Sequence, residues 1–286
     1  MADNLNRGHW IDAAWKKVLS DGADDAIDFF LPELAKDRDR SKEVELAGGE
    51  LPAIGSDSDR RARIADVCFS VPLTIGKSCK VGCVVEQQHD DDKGIAEKIF
   101  RGFYRLSDRL NDDVTALAIF TGDSMDRGEY RYSRYGVNLS FGYNTYHVMN
   151  QDIEQLKRDE RVFAPVVLAA RMMMEAKGES RQREEYAKEL LKIMRERDYD
   201  NAKKRIVMRF IGHILRLQDK DITSELRGEF LMQFMPLSEY RKLSAIEDIR
   251  EERTLEIARN MLSKGASIDL IKEYTGLDEY DISMLG

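Results

Sequence analysis

Histidine and cysteine are scarce in this chain, four and three among 286 residues. The histidines are scattered, and Cys68, Cys79 and Cys83 fit no zinc-ligand spacing, which argues against a structural zinc site. The cysteine count is odd and confined to one stretch, so the thiols are expected to be reduced and mostly buried, as in a cytoplasmic protein. No apolar run approaches the roughly 20 residues that span a bilayer. The opening residues, MADNLNRGHWID, lack the basic-then-apolar layout of a signal peptide, so export is not expected. No short-period tandem repeat is present. An excess of positive charge is missing too, since the net charge is −8. That argues against a protein that coats DNA non-specifically, although the sign that matters to a nucleic acid is the local one beside its phosphates.

What the chain does have is 42% hydrophobic and 34% charged residues, a soluble globular composition with enough length for a substantial core. The stretch from residue 64 to 106 organises the rest. Two apolar, β-branched-rich runs, residues 64–71 and 80–85, are joined by a loop containing Pro72 and Gly76. The pattern predicts an antiparallel hairpin whose loop is too long for a two-residue turn. Asp66 interrupts the first run between Ala65 and Val67, and Glu86-Gln87-Gln88 closes the second. Asp is disfavoured inside a strand, so its placement has a cost that something should offset. On neighbouring strands the two carboxylates can converge, and their repulsion would raise a pKa unless a cation sits between them. Oxygen-only ligation of that kind suits Mg²⁺ or Mn²⁺.

An Asp on one strand and Glu-x-Gln on the next, followed by a basic amphipathic helix, resembles the PD-(D/E)XK nuclease superfamily. Within it the chain is similar to the recombination-promoting nuclease (Rpn) group, also described as PD-(D/E)XK nuclease family transposases or YhgA-like transposases. Ala65-Asp66-Val67 and Val85-Glu86-Gln87-Gln88 match its two acid motifs, and the likeness runs from about Trp10 to the C-terminus. The resemblance implies an α/β fold, with a restriction-endonuclease-like core around a mixed sheet followed by an all-helical C-terminal region. It also implies a metal-dependent DNA endonuclease that hydrolyses phosphodiester bonds, with a link to recombination or mobile elements. Asp66, Glu86 and Gln88 would be its catalytic residues. Asp66, Glu86 and the backbone carbonyl of Gln87 would hold Mg²⁺ or Mn²⁺, with water as the nucleophile. Many superfamily members carry Lys where this chain has Gln88, but the Rpn-like group itself uses Gln. The neutral amide is no general base near neutral pH, yet it can orient a water or a phosphate oxygen.

Taken in order, residues 10–19 have near-helical apolar spacing, and Ile11-Asp12-Ala13-Ala14-Trp15-Lys16 is similar to an H-D-x-x-F-K-like opening of the family. Asp12 or Lys16 would then support the site from its rim; the plainer reading is an ion pair between the two, four residues apart. Residues 26–35 read as a short helical piece around Pro32. Glu50-Leu51 matches a family segment in which an acid precedes the first catalytic strand, although Gly48, Gly49 and Pro52 argue against a continuous helix there. After the hairpin, Ile95, Ile99, Phe103 and Leu106 form one helical face. Lys98, Arg101 and Arg105 lie on a neighbouring stripe that could face DNA phosphates, and the bland alternative is a solvated surface. The family pattern R-M-x-R-Y becomes Lys98-Ile99-Phe100-Arg101-Gly102 here, which keeps the charge and loses the Arg fork. Lys98 could also supply the positive charge that Gln88 lacks.

Residues 114–120 form a near-continuous apolar run expected for a central strand buried on both faces. Residues 130–135 and 137–146 alternate enough for two more strands, whose aromatic and basic residues could stack on bases or simply pack. From about residue 152 the pattern is helical. The expected division is a nuclease-like α/β core over 1–150 and a helical region over 151–286, with 246–286 as an interaction element able to support self-association. Two short segments around Thr275-Gly276-Leu277 superficially resemble a helix-turn-helix. The second carries Asp278, Glu279 and Asp281 and no basic residue, the wrong sign for phosphates. This end is therefore expected to be a capping or interaction element.

The expected partner is DNA, with no membrane. The rival reading is a nuclease-like fold whose site has decayed and which acts as an interaction or scaffold module; the acids could also be ion-pair partners of Arg61 or Arg63. On the enzymatic reading, Asp66→Ala should abolish cleavage yet leave folding intact or improved, because like charges no longer crowd the site.

Overall fold

In a computed structural model of the chain, the residues described are 2–47, 66–76, 78–86, 93–110, 112–122, 127–176, 179–215, 223, 226, 228, 230, 257–264 and 266–275. Helix α1 (Ala2–Asp21) leads into α2 (Ala23–Phe30) and α3 (Pro32–Asp37). The last two are separated at Leu31, where Pro32 occupies the first helical position, a place that lacks an N–H partner in any case. A short strand β1 (Glu45–Leu46) pairs antiparallel with β2 (Val67–Pro72), so the segment before the hairpin ends in a sheet edge. Strand β2 pairs antiparallel with β3 (Ser78–Glu86), with Val67 opposite Cys83 and Pro72 opposite Ser78.

Helix α4 (Lys93–Leu110) then carries the chain back to β4 (Asp113–Phe120), which runs parallel to β3 and pairs Glu86 with Phe120. A parallel neighbour needs such a crossover, because a tight turn can only reverse the chain. Strands β5 (Glu129–Arg134) and β6 (Val137–Gly142) form a separate two-stranded ribbon, and β7 (Asn144–His147) returns to the main sheet parallel to β4. The main sheet is thus mixed, in the order β1-β2-β3-β4-β7. The expected hairpin and the apolar strand after it are both present. The run expected as one strand over 137–146 divides at Tyr143, whose N–H donates to the Gly128 carbonyl at 2.8 Å. A Cβ on Gly128 would lie 2.6 Å from the Tyr143 carbonyl oxygen, so this close approach requires glycine. The ribbon turns through Tyr135 and Gly136, both at positive φ, as a two-residue hairpin turn demands.

One face of the sheet is covered by α4: Ile95 and Ile99 pack on Val84, Ala116, Ala118 and Phe120. The ribbon extends this layer, with Tyr130 stacked on Phe100 at 5.2 Å between centroids and Phe141 against Phe103 at 4.7 Å. Tyr130 therefore has the packing role, whereas Tyr135 at the tip is 97% exposed. Gly102 is buried within α4, which runs on through it.

The opposite layer is built from α1, α2 and the later helices. Phe29 and Phe30 of α2 meet Tyr146 of β7 and Phe163 of α6 (Phe163–Ala176). Trp15 of α1 lies edge-on to Phe210 of α8 (Asn201–Ile214), with ring centroids 5.1 Å apart. Helices α5 (Ile153–Arg158) and α8 begin with Asp152 and Asp200, whose carboxylates accept from the N–H groups of Gln155 and Lys203. Helix α7 (Ser180–Glu196) packs on α6. Because α6 and α8 pack against α2 and α1, these helices share one compact unit with the sheet, Met1–Phe230, and Leu231–Gly286 is a second. The expected boundary near residue 150 falls inside the first unit.

In the second unit, a helix over 257–263 is followed by a turn and the helix Ile268–Thr275. Ala258 and Ile271 are fully buried against each other, and the partly buried Met261, Leu262 and Ala266 pack around them. No helix among the described residues is long and apolar enough to cross a membrane.

Candidate active site

Asp66 does not interrupt β2. It precedes the strand in a bend, so the penalty expected for an Asp within a ladder does not arise. Its N–H donates to the Cys83 carbonyl at 2.8 Å, which extends the β2–β3 pairing by one residue. Its Oδ2 accepts the Val85 N–H at 2.9 Å. Its Oδ1 lies 3.1 Å from the Lys16 ammonium, with 13% of the Asp66 side chain and 23% of that of Lys16 exposed. Each carboxylate oxygen thus has a defined donor, one from β3 and one from α1.

Glu86 is the last residue of β3 and is half-buried. Its carbonyl accepts from the Thr121 N–H at 2.9 Å and from Thr121 Oγ1 at 3.2 Å. Those bonds clamp the end of β3 to the end of β4. The residue that donates to Asp66, Val85, immediately precedes Glu86, so the two acids belong to the same end of the sheet. The antiparallel register that sets Val67 opposite Cys83 is what brings this about.

Lys16 is delivered by the packing of α1. Trp15, Val18 and Leu19 are buried, so this face of α1 is held inward and the neighbouring stripe is directed to the sheet end. Lys16 also pairs with Asp66, fifty positions along the chain, a partner that the sequence did not offer. Asp12 itself lies in α1. Glu50, Gln87 and Gln88 lie outside the described residues, as do Arg61 and Arg63.

On α4, Lys98 is exposed, Arg105 is half-buried, and Arg101 donates to Glu97 at 2.5 Å on the same helix. Arg101 is 66% exposed, and an exposed i,i+4 pair of this kind contributes only about 0.3–0.5 kcal/mol. The stripe forms as the sequence predicted, and part of its charge is balanced locally.

Sequence reasoning did not single out Thr121. Its signal was available: a polar residue directly after a buried run, itself 2% exposed, is placed there for its hydrogen bonds. It also gave no warning that Asp66 is a structural acceptor. Removing that carboxylate by Asp66→Ala would strand the buried Val85 N–H and take away the acid that faces Lys16, so the expectation of intact or improved folding is reversed.

The donor set fits a hard divalent cation. Two carboxylates and nearby main-chain oxygens are all oxygen donors. Cys83, whose carbonyl accepts the Asp66 N–H, is buried, and that burial, with Asp66 adding to the effect, pushes its thiol up in pKa, which disfavours a soft thiolate beside the acids. A positive charge, the Lys16 ammonium, already stands at Asp66. Among the described residues no group of three or more His, Cys, Asp or Glu forms a metal cluster, so protein ligation would rest on the carboxylate pair.

An α/β protein with paired acids at the end of a mixed sheet is the class defined by this geometry. Residues 251–286 match the model for the Rpn/YhgA-like nuclease family, C-terminal HTH domain, which supports membership of the chain in the Rpn/YhgA-like family and a nuclease-related function. No curated protein and no solved structure matches the chain. The segment set aside for its acidic charge is the one the family describes as a helix-turn-helix. That description agrees with the helix-turn-helix-like spacing noted in the sequence. A helix-turn-helix is a DNA-binding architecture, so DNA is the partner class this match suggests.

Proposed function

We propose that the chain is a metal-dependent endonuclease that hydrolyses phosphodiester bonds in DNA. The observation that carries this reading is the Asp66 carboxylate. It is tied by one oxygen to the N–H beside Glu86 and offers the other to a cation. Asp66 and Glu86 would hold Mg²⁺ or Mn²⁺, which when bound acts as a Lewis acid on the phosphate and lowers the pKa of water. The chain's own contribution is positional. The β2–β3 register sets Asp66 beside the end of β3, and Thr121 fixes the Glu86 backbone. Water adds to phosphorus, one bridging P–O bond breaks, and the departing oxygen takes up a proton. Lys98, Arg101 and Arg105 on α4 would bind phosphates flanking the cut, and Gln88 would orient the water or a phosphate oxygen.

Supercoiled plasmid incubated with the protein and Mg²⁺ or Mn²⁺ should be nicked, and EDTA should stop the reaction. Asp66→Asn and Glu86→Gln, confirmed as folded, should reduce nicking to background. Wild-type nicking by folded Asp66→Asn protein would end the assignment, and the absence of nicking with either metal would return the chain to the interaction-module reading.

A further inference from the structure

Among the described residues, many ion pairs are local. Lys17 with Asp21, Lys36 with Glu33 and Arg101 with Glu97 each join residues three or four apart on one helix. Others join separate elements, among them Lys80 with Asp112, whose side chains are also largely buried. Lys16 with Asp66 is of this second kind: it joins α1 to the start of β2, both side chains are largely buried, and here the acid is one of the two proposed to hold the metal. Fixing a lysine in one geometry costs side-chain entropy, a loss that screened surface pairs barely recover. Here α1 is already anchored by Trp15 and Leu19, so the ammonium is delivered to the site by packing.

The geometry points to a regulatory role for this ion pair, resting on the nuclease reading above. We infer that Lys16 is the resident counter-ion of the acid site: it holds the place of the divalent cation at Asp66, and a metal must displace it in order to bind. Two cations cannot both neutralise one carboxylate oxygen at hydrogen-bond distance without repelling each other. In the metal-free site the Asp66 charge is therefore already balanced, and the affinity for a free divalent ion is held down. Displacement moves the ammonium off its carboxylate, beside the point where a DNA phosphate would bind. The phosphate is the natural new partner, so DNA and metal favour each other's binding. By linkage the effect is reciprocal. Lys16 acts on the metal through Asp66 and is a positioning residue.

The decisive experiment measures Mn²⁺ binding to the full chain without DNA, by the decline of the free-ion EPR signal, for wild type, Lys16→Met, Lys16→Arg and Asp66→Asn. Loss of the competing ammonium should tighten Mn²⁺ binding to Lys16→Met on the order of tenfold. Lys16→Arg should stay near wild type. Plasmid nicking by Lys16→Met should fall while its metal affinity rises, opposite signs that a merely structural lysine would not produce. Lys16→Gln repeats the measurement should the Met variant not fold. If wild type binds Mn²⁺ in an Asp66-dependent way and neither neutral variant binds it more tightly, the counter-ion inference is overturned and the metal site stands. If Asp66→Asn binds Mn²⁺ as well as wild type does, the metal site itself is lost, and this inference with it.

Discussion

The positive charge assigned to the proposed site is held in two different ways. Lys16 arrives from α1, is mostly buried and meets Asp66 at 3.1 Å. On α4, Lys98 and Arg101 stand in water, and Arg101 is partly neutralised by Glu97 one turn away. A charge held inside a structure needs a named partner, because desolvation removes the water that would otherwise stabilise it. A charge left at the surface needs none, and can be lent to a ligand at little structural cost. By that criterion the first arrangement belongs to the architecture of the site, and the second is suited to interactions that form and break.

The sharpest way to break the comparison is to separate the two oxygens of Asp66. Asp66→Asn keeps an oxygen to accept the Val85 N–H and discards the charge, whereas Asp66→Ala discards both. Both variants should lose metal binding and nicking to background. They should differ in stability: the Ala variant leaves a buried N–H unsatisfied, a loss of roughly 1–3 kcal/mol. For a domain of this size that is a fall in Tm of about 2–4 °C per kcal/mol. Equal melting temperatures for the two variants would show that the Val85 hydrogen bond carries no weight, and would make Asp66 a purely electrostatic element of the site.

Much of this arrangement was legible in the sequence, for a physical reason. The hairpin, the helix after it and the apolar strand after that are local patterns, and the register that brings Asp66 beside Val85 follows from burying Val67, Phe69 and Val71 against β3. The pairing of Lys16 with Asp66 was not legible. Asp12 at i−4 was the candidate visible within the helix, whereas the approach to Asp66 depends on the tertiary packing that holds α1 against α8 through Trp15. The break between β6 and β7 was hidden as well. Alternation continues across Tyr143, and the interruption comes from a backbone hydrogen bond with Gly128, fifteen residues earlier.

The α4 arm of the comparison predicts a smaller effect. Replacing Lys98, Arg101 and Arg105 together by Ala should weaken DNA binding at every sequence and flatten its dependence on salt. Each phosphate left without its cation should lower the slope of log K against log salt by about 0.9. Because Arg101 already has Glu97, the change should be nearer that for two phosphates than for three. A binding isotherm at several salt concentrations checks this, and an unchanged slope would make the stripe an ordinary solvated face.

The smallest effect tests the principle behind the comparison, that this hairpin admits charge only where a counter-ion is built. Cys83 provides the contrast: it bonds Asp66 through its carbonyl, yet burial and the neighbouring carboxylate both push its thiol pKa up. Burial likewise raises Cys68 to about 11, against a lowering influence from Lys80, and raises Cys79 to about 11 with help from Asp113 and Asp112. An unfolded thiol ionises near about 8.5. Between that value and the folded pKa the native state holds more protons than the unfolded state, so stability falls as pH rises through the window. Native protein at pH 8 should resist iodoacetamide at all three cysteines and react at all three in denaturant. Raising the pH from 8 to 10.5 should lower Tm, and Cys68→Ala or Cys79→Ala should each make that decline shallower. Rapid alkylation of Cys83 in the folded protein would mean that a thiolate is tolerated beside Asp66 without a counter-ion. The special place given to Lys16 would then lose its physical ground.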